Sequence, residues 1–241
     1  MGPAPAPKGK NLAGREPLKV AHIVVIVAGV ALLSSLSAYS ALWFDESYSV
    51  ALVRHPLGEL WRIAASDVHP PLYYYLLKLV WLLFPDNVVA YRLFSVAALG
   101  CLSLLGYTHL RRDFGRHVGI AFSFLTLVSP WSFRVSSQIR MYSWAALFVG
   151  VCLIYGLRVI RALREARLGE VAPTLPRHWW VVLCLSSAAA ANCHYFALMA
   201  AFSVNLCVIV ALVCARRCLR DTHVVRDYVL TAALACASFA P

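Results

Sequence analysis

Charge is scarce in this chain. Only 14% of its 241 residues are Asp, Glu, Lys or Arg, against 61% hydrophobic residues, and acidic residues number just 11. A soluble domain of this length carries far more charge, and its apolar residues come in helical or strand-like stripes; here they come in long uninterrupted blocks. The eight cysteines include no CxxC pair. Cys101, Cys152, Cys184, Cys207 and Cys236 lie inside apolar runs, and Cys214 and Cys218, one helical turn apart, read as packing residues. The formal charge of +11 raises the question of nucleic acid. The basic residues, however, sit in short clusters between apolar runs, without aromatic interleaving or a nucleic-acid motif, so no nucleic-acid partner is expected. What remains is an all-α, polytopic integral membrane protein.

Residues 1–19 are rich in Pro, Ala and Gly and carry Lys8, Lys10, Arg15 and Lys19, which reads as a disordered basic cytoplasmic tail. The apolar run Val20–Phe44 contains no Asp, Glu, Lys or Arg and exceeds the roughly 20 residues that a spanning helix needs. Small residues at Ser37–Ala41 would suit signal-peptide cleavage, but the apolar part is long for a signal, so an uncleaved first helix is expected. Directly after it stand Asp45 and Glu46. Ionised groups next to hydrocarbon are costly, so an acidic pair at a membrane edge is a functional candidate, with a boundary marker as the plainer alternative.

Ser47–Asp67 is of mixed polarity and reads as an amphipathic surface segment. Pro70 and Pro71 hold His69 extended, and Pro71 can open a helix over Leu72–Phe84 that ends at Pro85-Asp86-Asn87. Such a helix reaches only about 20 Å, short of the roughly 30 Å hydrocarbon core, and belongs in the external loop as a surface or half-inserted element. Further runs at 89–110, 118–131, 144–159, 179–191, 196–215 and 228–241 then bring the expectation to about seven spans, with residues 20–241 forming one transmembrane module. With the amino terminus inside, sixteen of the 22 Lys and Arg fall on the cytoplasmic side, as the positive-inside rule requires. Making Leu72–Phe84 a full span would invert the later clusters. The external side gathers Asp45, Glu46, Asp67, His69, Lys78 and Arg92, then Arg134–Tyr142, then Asn192–Tyr195, a set suited to a polar site at a membrane surface.

In order and spacing, five short motifs resemble the polyprenyl-phosphate-sugar-dependent membrane glycosyltransferases of GT-C fold. They are Asp45-Glu46, His69-Pro70-Pro71-Leu72-Tyr73-Tyr74, Tyr91-Arg92-Leu93-Phe94-Ser95, Arg140-Met141-Tyr142-Ser143 and His194-Tyr195-Phe196. The likeness is to the protein O-mannosyltransferase-like and lipid A aminoarabinose transferase-like enzymes, including the lipopolysaccharide glycosyltransferases of rhizobial type. It implies a module of seven spans with two surface helices in a first external catalytic loop, residues 45–88. It implies transfer of a sugar from a polyprenyl-phosphate donor to a lipid, glycan or protein hydroxyl on the extracytoplasmic face of a cell membrane, with inversion at C1. It further implies that the catalytic carboxylate maps to Asp45. Members of that group are longer, so the chain corresponds to their amino-terminal module, either as a fragment or as a minimal version.

Within that chemistry Asp45 is the expected base, with Glu46 orienting the acceptor or the loop. Arg92 and Arg140 are candidates for the leaving phosphate, because a guanidinium forks onto phosphate oxygens. For Arg92 the alternative is snorkelling at the start of a span. His69, Tyr142 and His194 complete the substrate-binding set, and Tyr73, Tyr74, Tyr75, Trp131 and Trp144 could stack on sugar or prenyl groups, with an interfacial aromatic belt as the plainer account for most of them. No cofactor is expected. Asp45, Asp67 and His69 could offer oxygen and nitrogen ligands, but no strong metal-ligand spacing is present. A transporter or flippase, and a non-catalytic scaffold, are the competing classes; against the first, charges group on one face and no inverted repeat or pair of broken helices is visible.

Overall fold

The first helix, α1 (Glu16–Leu36), ends eight residues before the apolar run does. At 21 residues it is about 31 Å long, enough to cross hydrocarbon. Its start takes in the last four residues of the stretch read as tail. This computed structural model describes residues 16–37, 41–66, 69–169 and 175–215, together with 226, 228–230, 232–233 and 237. The expectations for residues 1–15, for Asp67 and for most of the run 228–241 lie outside the described residues.

Three short helices, not two, occupy the first loop: α2 (Phe44–Arg54), α3 (Leu57–Ser66) and α4 (Leu72–Leu83). The acidic pair therefore opens a new helix instead of closing a span. Helix α4 turns Tyr73, Tyr74 and Leu77 inward and leaves Leu79, Leu82 and Leu83 exposed, as an element lying against lipid would. Lys78, grouped above with the external polar residues, is buried and donates to the carbonyls of Val53 (2.8 Å) and His55 (2.9 Å), so its charge caps the end of α2.

The chain then continues through longer helices. Helix α5 (Val88–Leu105) starts from Asn87, whose side chain accepts from the Ala90 N–H at 3.0 Å. It continues through a π-helical segment, Gly106–Leu110, into α6 (Arg111–Asp113). Helices α7 (Arg116–Val128) and α8 (Pro130–Ser136) meet at a 53° bend, where Ser129 caps α8 and Pro130 takes its first position. Next come α9 (Tyr142–Leu168), α10 (Arg177–Cys193) and α11 (Tyr195–Ala215). Among the described residues four helices are long and apolar enough to cross a membrane, and five if the bent pair is one span. Helix α10, at 17 residues, sits at the lower limit of spanning length. The chain is thus an all-α integral membrane protein; four to five of the seven spans expected from sequence pass this test among the described residues, and the run 228–241 lies mostly outside them.

Helix α9 is central and packs against α5, α10 and α11, while α1, α5 and α7 form a second group. Small residues set the spacing. A Cβ on Gly29 would lie 2.7 Å from Leu127, and one on Gly156 would lie 2.5 Å from Val204, so each glycine lets a neighbouring helix approach closely. The faces turned outward on α1 (Val20, Val24, Val27) and α11 (Phe196, Met199, Phe202) are apolar, the arrangement that lipid requires.

Candidate functional site

Successive residues on a helix point about 100° apart, and in the first turn of α2 this separates the two carboxylates. Glu46 turns inward and is only 3% exposed. Its Oε1 accepts from Arg92 Nε (3.2 Å) and from the Ile139 N–H (3.0 Å). Its Oε2 accepts from a terminal nitrogen of Arg92 (3.1 Å) and from the Trp43 N–H (2.9 Å). The last of these is half of a capping box, with Glu at the third helical position closing on the residue before the helix. Arg92, 1% exposed, also donates to the carbonyls of Ser37 (3.3 Å) and Ala41 (3.0 Å), just past the end of α1. Its guanidinium is thus engaged by Glu46 and by backbone, in a buried fork instead of at a surface.

Asp45 turns the other way. Its side chain is 59% exposed, and its carboxylate lies 3.8 Å from Arg140. Arg140 is buried; it also donates to the Asp45 carbonyl (3.4 Å) and, through the same terminal nitrogen that faces the carboxylate, to His69 Nε2 (3.2 Å). Because arginine only donates, His69 Nε2 must be the acceptor and its proton sits on Nδ1. The Nε of Arg140 is buried without a hydrogen-bond partner. A guanidinium with spare donor capacity, beside an exposed carboxylate, has room for an anionic ligand.

Both side chains line a cavity of about 240 Å³, together with Trp43, Trp131, Arg134, Gln138 and Tyr142. Tyr142 and Trp131 also belong to a second, apolar hollow of about 350 Å³, walled by Ala145, Ala146 and Val149 of α9 and by Phe196, Ala197 and Ala200 of α11. His194 stands where the two hollows adjoin. Its ring centroid is 5.6 Å from Tyr142 and 5.8 Å from His69, and its Nδ1 accepts from the Phe196 N–H at 3.1 Å, which caps the start of α11. Burial, then the neighbouring His69 and Arg140, holds the His194 pKa below its ordinary 6.5.

Of the seven residues that the sequence points to, five gather here: Asp45, Arg140 and Tyr142 line the polar cavity, and His69 and His194 adjoin them. Glu46 and Arg92 form a separate buried pair that does not line either hollow. Trp43, Arg134 and Gln138 are lining residues that the sequence reading did not single out as site residues. On the topology expected from sequence, Arg134 carries the same signal as Arg140, positive charge on the side where the positive-inside rule disfavours it. Among the described residues no group of three His, Cys, Asp or Glu side chains is placed to hold a metal ion.

Searches of curated proteins and of solved structures return no match. A family model does match, over residues 68–241, which takes in His69, Arg92, Arg140, Tyr142 and His194 and begins after the acidic pair. The chain belongs to the dolichyl-phosphate-mannose-protein mannosyltransferase family, and it is a membrane glycosyltransferase of GT-C type.

Proposed function

We propose that the chain transfers a sugar from a polyprenyl-phosphate donor to an acceptor hydroxyl, with inversion at C1, on the extracytoplasmic face. The observation that carries this reading is the junction at Trp131 and Tyr142: a polar cavity holding one exposed carboxylate and two arginines runs into an apolar hollow between α9 and α11. A lipid-linked sugar has the same division, a charged phosphate between a polar sugar and an apolar chain. The prenyl chain lies in the apolar hollow against Phe196 and Val149, and the phosphate meets Arg140 and Arg134.

Asp45 acts as general base, accepting the acceptor's proton as its oxygen attacks C1. The bond from C1 to the phosphate oxygen breaks with its electron pair going to oxygen, and polyprenyl phosphate leaves with one more negative charge than the phosphate carried in the donor. Fixed donors aimed at that oxygen lower the barrier, and Arg140 supplies them from a buried position that needs no rearrangement. A single displacement inverts the anomeric centre. Tyr142 and His194 border the passage between the two hollows and orient the sugar phosphate. Glu46 and Arg92 are positioning residues, which hold the turn that carries Asp45. The donor sugar is a hexose or pentose, and the acceptor is a lipid, glycan or protein.

The test is transfer of radiolabelled sugar in membranes supplied with polyprenyl-phosphate sugars, comparing the wild type with Asp45→Asn. Loss of a general base lowers the rate by about 10²- to 10⁴-fold. Because Asp45 is exposed, its replacement leaves folding unchanged. Transfer by the Asn variant at the wild-type rate would remove Asp45 from the chemistry.

A further inference from the structure

The end of the bundle opposite Asp45 holds a cavity of different character, about 230 Å³ in volume. Four residues lining it are cationic, Lys19 of α1, Arg111 and Arg112 of α6 and Arg116 of α7, and no lining residue is acidic. The carboxylate closest in sequence, Asp113, is spent elsewhere. Arg158 donates to both its oxygens (2.7 and 3.1 Å), and Arg161 donates to its carbonyl at 3.4 Å. Among the described residues no carboxylate forms an ion pair with Arg111, Arg112 or Arg116. Three arginines gathered with no carboxylate paired to them repel one another, so a cavity of this kind is a site for an anion.

The backbone builds this gathering. A π-helical segment inserts extra residues per turn, so Gly106–Leu110 rotates Arg111 and Arg112 away from the direction that a regular α5 would give them. Helix α7 then approaches at Gly119, where an added Cβ would stand 2.5 Å from the Gly106 carbonyl oxygen and 2.8 Å from Arg111 Cβ. Only glycine allows that approach, and it brings Arg116 to the same cavity. On the far wall the Arg111 guanidinium stacks over Tyr107 at 3.8 Å, and the Tyr107 ring meets His22 edge-on at 5.2 Å. His22 is hydrogen-bonded to Ser123 at 2.7 Å, and Ser123 in turn donates to the Ser103 carbonyl at 2.7 Å. The cationic wall is therefore supported by a buried network.

The apolar surroundings identify the class of anion. Leu18 and Ile120 complete the lining. Beyond them the outward faces of α1 (Val20, Val24, Val27) and α7 (Phe124, Leu125) continue as exposed apolar surface along the bundle. We infer that this cavity binds the phosphate of an anionic membrane phospholipid, its acyl chains lying along α1 and α7, at the membrane face opposite the Asp45 site. Basic pockets between membrane helices hold such headgroups by charge and by forked arginine bonds. Soluble phosphate offers the same chemistry from a second source, and the experiment separates the two.

The full chain is placed in nanodiscs of phosphatidylcholine alone or with phosphatidylglycerol, and lipids retained after mild release are identified by native mass spectrometry. The wild type retains phosphatidylglycerol, and Arg112→Gln with Arg116→Gln weakens that retention about thirtyfold, at roughly fivefold for each cation removed. The double Lys variant keeps most of the retention, which separates lost charge from a lost fold. A measurement on unaltered protein stands beside these. A photoactivatable phosphatidylglycerol labels peptides from 16–23 and 111–120 in the wild type, and labelling only elsewhere overturns the site. Equal retention by wild type and double Gln variant also overturns it. If inorganic phosphate, added to phosphatidylcholine nanodiscs, protects 111–120 from deuterium exchange while phosphatidylglycerol does not, the lipid assignment falls.

Discussion

Replacing Arg92 by alanine leaves the Glu46 carboxylate buried with two backbone donors, the Trp43 and Ile139 N–H groups, and no compensating cation. The pair is enclosed, with side chains 1% and 4% exposed, so solvent screening gives little relief. Breaking a buried ion pair on one side costs about 3–5 kcal/mol, because the survivor keeps its desolvation penalty. Arg92 also satisfies the Ser37 and Ala41 carbonyls, which places the expected loss toward the upper end. Replacing both partners with apolar residues, Glu46→Leu with Arg92→Met, removes the stranded charge and restores part of the stability, since the Trp43 and Ile139 N–H groups and the Ser37 and Ala41 carbonyls still lose their partners. Equilibrium unfolding in mixed detergent micelles, followed by tryptophan fluorescence, measures both. A single variant within 1 kcal/mol of wild type, or a double variant no more stable than Arg92→Ala, would refute the argument that this pair is buried and mutually dependent.

Arg140→Lys keeps the charge but loses the fork that reaches Asp45 and His69 together. Removing one such preorganised donor lowers kcat by about 10²-fold, and steady-state sugar transfer with an unchanged kcat would contradict its role at the leaving phosphate. His194 gives a pH prediction. Its folded-state pKa lies below 6.5, so on acidification the unfolded chain takes up the proton first, and stability falls as pH drops from about 6.5 toward the lower folded value. Above 6.5 this residue adds no pH dependence. His194→Gln should flatten the slope below 6.5 in thermal unfolding, and an identical slope in the variant would assign it to other groups.

Much of the architecture is written in hydropathy. The apolar blocks, the break at Pro85-Asp86-Asn87 and the short helix after Pro71 all have local causes, and α4 ends one residue from the expected boundary. The end of α1 has no such cause. Residues 37–44 continue the apolar run in small and aromatic residues, while the helix stops where Arg92, more than fifty positions later, takes up the Ser37 and Ala41 carbonyls. The inward turn of Glu46 is hidden for the same reason, since its partner is 46 residues away. On the topology expected from sequence, Arg140 stands out as positive charge on the external side, and Arg134 carries the same mark. The bend after α7 had a local signal in Ser129-Pro130, where proline cannot continue the hydrogen bonding of the preceding helix.

One buried carboxylate ties together the two segments that make the site. Through the Trp43 N–H it holds the first turn of α2, which carries Asp45; through the Ile139 N–H it holds the turn before α9, which carries Arg140. Ser95, on the same helix as Arg92, donates to the Gln138 carbonyl at 2.7 Å and fixes that turn from its other side. The placement of Asp45 and Arg140 is thus set in part by bonds that neither side chain makes. At 3.8 Å the Asp45 carboxylate pairs loosely with the Arg140 guanidinium, the carboxylate exposed and the cation buried. The adjacent acids therefore divide the work by direction: Glu46 is spent on geometry, and Asp45 is left open to solvent and ligand.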